Sequence, residues 1–411
     1  MASESLIALK GSISSLYTPR TPSVPNNLLI FIQINIINLF IKYVEHELRP
    51  VIWFDALTTK QLLIGGSAKK FLEEKGFEVL LTARDYDVIK GLSERLRLDT
   101  KIFGGYGEDL YEKLRQEAYR MKIATDLLSE YGERFIAGVS YPNPVEARVV
   151  YGLGRDYIVI SDSPHSRHPH ILSLPMAKYL VYTDCISEEA WREYVHPRLT
   201  LYPYKGFDEL SWIRYLPEVF DKKFIHELGL EEKRYIVLRP EESKASYYEW
   251  GFNKDLWVKI TMEAVSQGFK TVILPRYMDQ RMILSKELRE YVKKDLVLIP
   301  EPSKAVGPAF IKHSLLVATG GGTMAREAAL LGILGATFFP RFLDVDKCVE
   351  RYGLPMRYIS SHEDLIEMIK DLSKDPDKYR LKNIDDILRD MITPVDAVYN
   401  ILKSLYKKDL V

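Results

Sequence analysis

The segment TGGGTMAREAALLGI, residues 319–333, joins three glycines to the start of a helix rich in Ala and Leu, directly after an apolar strand. Unpartnered N–H groups at a helix start, with the helix dipole behind them, favour an anion, and glycines admit positive φ and the close approach of a ligand. Gly320, Gly321, Gly322 and Thr323 are therefore candidate phosphate ligands. Glu327, one turn further in, would repel a phosphate that touched it. It is suited instead to accept hydrogen bonds from both ribose hydroxyls of a nucleotide whose diphosphate sits on the turn. The competing reading is a packing turn with Glu327 on the surface.

RPEESKASYYEWG, residues 239–251, follows the first strand of a second α/β series. Arg239 offers a bidentate contact to a diphosphate and Lys244 a point charge, with Glu241 and Glu242 as restraining partners. A solvated charged loop is the alternative. ISDSPHSRHPH, residues 160–170, sets Asp162, Ser163, His165, His168 and His170 just beyond another strand. Asp162 or His165 is the candidate general base for a sugar hydroxyl. The spacing of the three histidines matches no familiar helical metal motif, so no metal centre and no cofactor is expected. Asp55 and Lys60 follow the first strand and Arg84 the second, so both loops are expected to open on one cleft, where Lys60 or Arg84 would hold an anionic substrate. Each is equally well a surface charge. There is no GxxxxGK[ST] phosphate loop and no GxSxG nucleophile elbow, which disfavours those ATPases and hydrolases.

These loops need strands and helices to aim them. From Val51 onward, apolar segments alternate with helical ones, the mark of βαβ units and a parallel sheet. The spacing predicts strands over 51–57, 77–84, 134–140, 157–162 and 179–184, with helices over 62–76, 107–131 and 145–153. YPYKGFDELSW, residues 202–212, reads as a crossover between domains. A second series follows, with strands over 234–240, 270–275, 295–300, 314–320 and 336–340 and a helix over 254–267. After Thr393-Pro394, residues 395–408 carry apolar positions at helical spacing and are expected to cross back onto the first domain. The expected organisation is an extension over 1–50, a Rossmann-like domain over 51–205 for an acceptor, a second over 206–393 for a nucleotide, and a crossing helix over 394–411.

Composition sets the outer bounds. The 411 residues carry 57 basic and 57 acidic side chains, so no net charge draws the chain to nucleic acid or an anionic membrane. Cys185 and Cys348 lie far apart in sequence. Two such cysteines suggest neither a zinc site nor a disulfide framework and fit a reducing, cytoplasmic setting. The apolar run over 28–44 is interrupted by Gln33, Asn35 and Asn38 and falls short of the ~20 residues that a spanning helix needs. It would instead pack on a domain or lie at a membrane interface, allowing peripheral association.

VIWFDALTTKQ, TARDYD, ISDSPH, RPEESKASYY and GGGTMAREAALLG, taken in this order and spacing, resemble the domain-of-unknown-function family 354 over about residues 51–400. The resemblance implies an α/β GT-B fold, two Rossmann-like parallel-sheet domains facing a cleft, shared with nucleotide-sugar glycosyltransferases and non-hydrolysing UDP-N-acetylglucosamine 2-epimerases. In those relatives a glycine-rich turn and a following Glu hold the nucleotide, which carries over onto Gly321, Gly322, Thr323 and Glu327. The epimerases' His-Arg-x-Glu-Asn motif meets Leu238-Arg239-Pro240-Glu241-Glu242 here, so the His is missing. The resemblance therefore implies, first, a metal-independent glycosyltransferase with a nucleoside-diphosphate sugar as donor and a carbohydrate or lipid-linked acceptor. Second comes an epimerase-like isomerase, and third a non-catalytic nucleotide-sugar binder.

Overall fold

The computed structural model describes residues 49–86, 88–241, 252–304 and 306–406. The apolar run over 28–44 and Lys244 lie outside the described residues. From Pro50 on, the chain is a single compact unit holding two parallel sheets.

The first sheet contains β1 (Val51–Ala56), β2 (Glu78–Ala83), β3 (Lys101–Ile102), β4 (Phe135–Ser140), β5 (Asp156–Ile160), β6 (Tyr179–Thr183) and β7 (Thr200–Tyr204). Its strand order is β3-β2-β1-β4-β5-β6-β7. The second contains β8 (Tyr235–Arg239), β9 (Lys270–Ile273), β10 (Val297–Leu298), β11 (Leu316–Thr319), β12 (Leu334–Thr337) and β13 (Met356–Tyr358), in the order β10-β9-β8-β11-β12-β13. All pairings are parallel, and β1 and β11 are buried along their whole length, as expected where helices cover both faces of a sheet. The direction of winding reverses between β1 and β4 and again between β8 and β11. Side chains leaving the C-terminal ends of those strands enter a crevice, where open α/β sheets bind ligands.

Local signals fix the helices that flank the crevice. Thr58 caps the helix Thr59–Glu74 by accepting from the Gln61 N–H, and the Gln61 side chain accepts from the Leu57 N–H at 2.6 Å. That helix begins earlier than expected, which draws Lys60 into its first turn. Asn143 accepts from the N–H groups of Val145 and Glu146, with Pro144 at the first helical position. Thr393 and Asp396 form a reciprocal capping box that starts the helix Pro394–Leu405. As expected, this last helix packs on the first half. Tyr399 meets Phe71 edge to face at 5.6 Å, Asp396 accepts from Tyr215 Oη at 2.6 Å, and Tyr406 Oη donates to the Ile136 carbonyl at 3.1 Å.

Two expectations are corrected. Residues 202–204 belong to β7, which pairs with β6 from Tyr179 opposite Thr200 to Thr183 opposite Tyr204. Pro203 is tolerated because β7 is an edge strand. Cys185 and Cys348 form a disulfide with 5.6 Å between their Cα atoms. A sequence separation of 163 residues is no guide to distance once the turn after β6 of one half meets the helix Asp344–Arg351 of the other. The bond sits in an apolar cluster with Phe207, Leu210, Ala329 and Val349, which draws on both halves.

A cross-link closing so long a loop restricts the unfolded chain, so Cys348→Ser is expected to lower stability by about 2–4 kcal/mol. Thermal unfolding of the variant beside the oxidised wild type tests this; equal midpoints would mean that the pair is not cross-linked in solution.

Candidate functional site

The C-terminal ends of β1, β4, β5, β8 and β11 surround a cavity of about 370 Å³ lined by both halves. Lys60, Tyr141, Asp162, Ser163 and His165 face it from the first half, and Arg239, Arg276, Gly321, Gly322, Thr323, Arg326 and Glu327 from the second.

At the floor lies a buried ionic network. The Arg326 guanidinium donates to Asp162 Oδ2 at 2.9 Å, Glu209 Oε1 at 2.9 Å and Asp346 Oδ1 at 2.8 Å. Lys60 Nζ lies 2.5 Å from Asp162 Oδ2 and 2.8 Å from Asp208 Oδ2. Asp208 also accepts from Tyr204 Oη at 2.5 Å and from Tyr141 Oη. Burial would raise the Asp162 pKa, but Lys60 and Arg326 outweigh it and hold the carboxyl well below the usual range. Burial would likewise lower the Lys60 pKa, yet Asp162, Asp208 and Glu209 keep its ammonium above the ordinary value. Glu209 and Asp346 are shifted upward by burial despite Arg326. Four carboxylates around two cations thus share the strain of desolvation unequally.

The glycines of 320–322 serve close packing. None of them has positive φ, contrary to the sequence-based expectation. A Cβ on Gly320 would lie 2.6 Å from Glu241 Cα, and one on Gly322 would lie 2.5 Å from Arg326 Nη1. The turn is held by the Gly320 N–H on the Arg239 carbonyl at 2.9 Å and by Thr337 Oγ1 donating to the Gly321 carbonyl at 3.0 Å. Gly321, Gly322 and Thr323 then present the start of the helix Thr323–Leu330 to the cavity.

Glu327 is no surface residue: it is 2% exposed, and its Oε1 has no hydrogen-bond partner. Burial, with Glu209 adding to it and the nearby Trp212 indole opposing, pushes its pKa up to about 8. The indole does not close a full hydrogen bond to it, because Trp212 Nε1 is also without an acceptor. An unsatisfied buried carboxyl facing a cavity is costly in the empty protein and ready to meet a polar ligand.

His165 also lines the cavity, and burial lowers its pKa, with Arg341 and Arg326 assisting against Asp162. His170, which also lines it, bridges Ser161 Oγ at 3.0 Å and the Ser166 carbonyl at 2.5 Å and orders the loop. Ser163 Oγ donates to Asp162 Oδ1 at 2.7 Å. Arg239 reaches the Leu274 carbonyl at 3.1 Å while lining the cavity.

Other candidates point elsewhere. Asp55 lies under the sheet, accepting from Thr82, Asn143 and Arg120. Glu241 accepts from the Asn253 N–H at 2.6 Å and Trp257 Nε1 at 2.5 Å. Gly320 packs on Glu241, and Arg84 lines a separate smaller cavity. The loops after β1 and β2 do open on one cleft, through Thr58, Lys60 and Tyr86, but the Asp55 and Arg84 side chains themselves are turned away from it. Among the described residues, no group of three or more His, Cys, Asp or Glu is arranged to hold a metal ion. No described helix is long and apolar enough to cross a membrane.

Residues 51–403 match the family described as protein of unknown function (DUF354). The chain belongs to DUF354. An uncharacterised relative from Methanocaldococcus jannaschii is 27% identical over 305 residues, covering 72% of this chain and 84% of its own. The structure of UDP-N-acetylglucosamine 2-epimerase from Rickettsia bellii superposes with a TM-score of 0.63 at 11% identity, covering 88% of this chain and 97% of that one. The M. jannaschii UDP-GlcNAc 2-epimerase, solved in complex with UDP-GlcNAc and UDP, gives 0.62 at 14% identity over 86% and 99%. At such identities the likeness establishes for this DUF354 member the two-sheet GT-B-like fold.

Sequence reasoning missed Arg326, Asp208, Glu209, Asp346, Tyr141 and Arg276. Only Arg326 left a signal, as a lone cation beside Ala325 in an Ala-rich helix.

A raised carboxyl pKa stabilises the fold fully below the unfolded value near 4.5, and that contribution is lost as pH climbs toward 8. Glu327→Gln should therefore gain stability over wild type across that window, by up to a few kcal/mol, and match it below the window. Chemical denaturation at stepped pH measures the difference; a pH-independent offset would mean Glu327 is ionised throughout.

Proposed function

We propose that the interlobe cavity binds a nucleoside-diphosphate sugar and that the protein transfers the sugar to an acceptor hydroxyl. The observation carrying this reading is that Glu327, the helix start at Gly321–Thr323, Arg239 and Arg276 line one wall of the same cavity that His165 lines from the other half. The diphosphate would lie on the helix start, facing Arg239 and Arg276, and the ribose hydroxyls on Glu327. Solved structures with this fold include an epimerase with UDP-GlcNAc and UDP bound. Lys244 is a further phosphate candidate from the sequence.

In this reading the acceptor hydroxyl gives its proton to His165 as its oxygen bonds to the anomeric carbon. The bond from that carbon to the diphosphate oxygen breaks, and the departing electron pair is stabilised by the arginines and the helix dipole. His165 suits the role because its lowered pKa keeps the imidazole neutral at pH 7. Asp162 suits it less, since a carboxylate fixed by Lys60 and Arg326 is a weak base. Its part is to hold Lys60 and Ser163 in place. The charge on the leaving group is met by side chains and backbone, so the reaction so written requires no metal ion.

A second reading is isomerisation of the bound sugar, favoured by Glu327, whose pKa near 8 suits it to give and take a proton. Against it, the motif position that holds His in the epimerases is Leu238, fully buried within β8.

One incubation separates the two. UDP-, GDP- and dTDP-sugars are supplied in D₂O with and without a mixture of glycoside acceptors, and products are read by NMR and mass spectrometry. Transfer predicts release of nucleoside diphosphate only with acceptor, and a loss of about 10²–10⁴-fold in His165→Ala. Deuterium entering the sugar without acceptor would establish isomerisation instead, and binding without turnover would leave a non-catalytic nucleotide-sugar binder.

A further inference from the structure

Beside the main cavity, at the C-terminal ends of β1 and β2, lies a second one of about 160 Å³ that the function above does not use. Arg84, Tyr106, Lys113, Gln116, Glu117 and Arg120 line it. Arg84 Nε donates to the Leu57 carbonyl at 2.7 Å, and its guanidinium lies beside the neighbouring rings of Tyr86 and Tyr106, 4.8 Å from each centroid. These contacts hold the cation in place and leave its terminal nitrogens without an acceptor among the described residues. Lys113 Nζ lies 4.6 Å from the Tyr106 centroid, and no described carboxylate pairs with Lys113 or Arg84. Arg120 is 2% exposed; its Nη2 is committed to Asp55, yet its buried Nε has no acceptor. Glu117 is the single acidic lining residue, and burial raises its pKa against the pull of Arg84 and Arg120. The lining therefore offers three cations, only one of them neutralised by an ion pair. Arg84 and Lys113 are half-buried and unpaired, and an anion in the cavity would offset their mutual repulsion.

Tyr86 connects the two cavities. It lines the main one and packs 5.1 Å from Tyr106, which lines the small one. We propose that the small cavity receives the oxyanion group, phosphate or carboxylate, of the second substrate, whose reactive hydroxyl enters the main cavity. Planar Arg84 supplies orientation and Lys113 a mobile charge, while buried Arg120 adds positive potential from behind them. The volume admits one such group and excludes a nucleotide. The assignment to a second substrate rests on the reading of the main cavity as the nucleotide-sugar site.

The test is calorimetric titration of the full-length protein, saturated with UDP, with inorganic phosphate and separately with acetate. Wild type, Arg84→Gln and Lys113→Gln are compared, with circular dichroism as the check of folding. One anion is expected to bind with unit stoichiometry, and each substitution to weaken it at least about tenfold, the scale of one lost charge-assisted contact. Preference for phosphate identifies a phosphorylated second substrate, and preference for acetate a carboxylated one. If Arg84→Gln does not fold, Lys113→Gln, which removes no hydrogen bond, decides alone. Absence of heat with either anion, or equal affinity in folded variants, overturns the proposal. Wild type that binds the anion but not UDP refutes the reading of the main cavity and, with it, the second-substrate assignment, leaving only an anion site.

Discussion

A single buried guanidinium holds the two halves in the arrangement on which everything at the cleft depends. Arg326 rises from the first turn of the helix that follows the glycine turn and reaches Asp162 beyond β5, Glu209 in the connection between the sheets, and Asp346 in its own half. It is 3% exposed, so the cost of desolvating it is met only if all three partners stay in place. The network therefore acts as a geometric constraint more than a source of stability. It sets the start of the helix Thr323–Leu330 opposite the loop bearing Asp162 and His165. Gly322 is part of the same constraint, because any side chain there would strike the guanidinium.

Around that fixed point the charges divide their work. Asp162, Asp208 and Lys60 satisfy one another and keep the floor rigid, while Glu327 Oε1 is left unsatisfied at the wall. A polar ligand that meets Glu327 removes a defect of the empty protein, and this is a physical reason for the cavity to select one. The disulfide and its apolar cluster tie the halves on the side of β6, and the capped last helix ties them again through the first sheet.

Much of this was legible in the sequence. β1, β4 and β11 are mostly apolar and show no polar alternation, as strands covered on both faces do. β3 and β13, two and three residues long, carry too little pattern to be seen. Pro203 disguised β7 as a crossover. The glycine turn and Glu327 were visible through their order after an apolar strand, and packing was one of two readings of the glycines; what the sequence could not show is that Glu241 and Arg326 are the groups they accommodate, without positive φ. Asp208 and Glu209 left no signal because the cations that pair with them, Lys60 and Arg326, lie more than a hundred residues away. The cysteine pair was hidden for the same reason, since composition records number and spacing along the chain and says nothing of proximity across it.

The proposed function requires a nucleoside diphosphate to bind across the start of the helix Thr323–Leu330 with its ribose on Glu327. The most direct measurement is a crystal structure of the protein soaked with UDP and with whichever UDP-sugar it binds. Diphosphate oxygens are expected within hydrogen-bond reach of the Gly322 and Thr323 N–H groups, with the ribose hydroxyls on Glu327. Nucleotide density elsewhere on the molecule, or an empty cleft at saturating ligand, would contradict it.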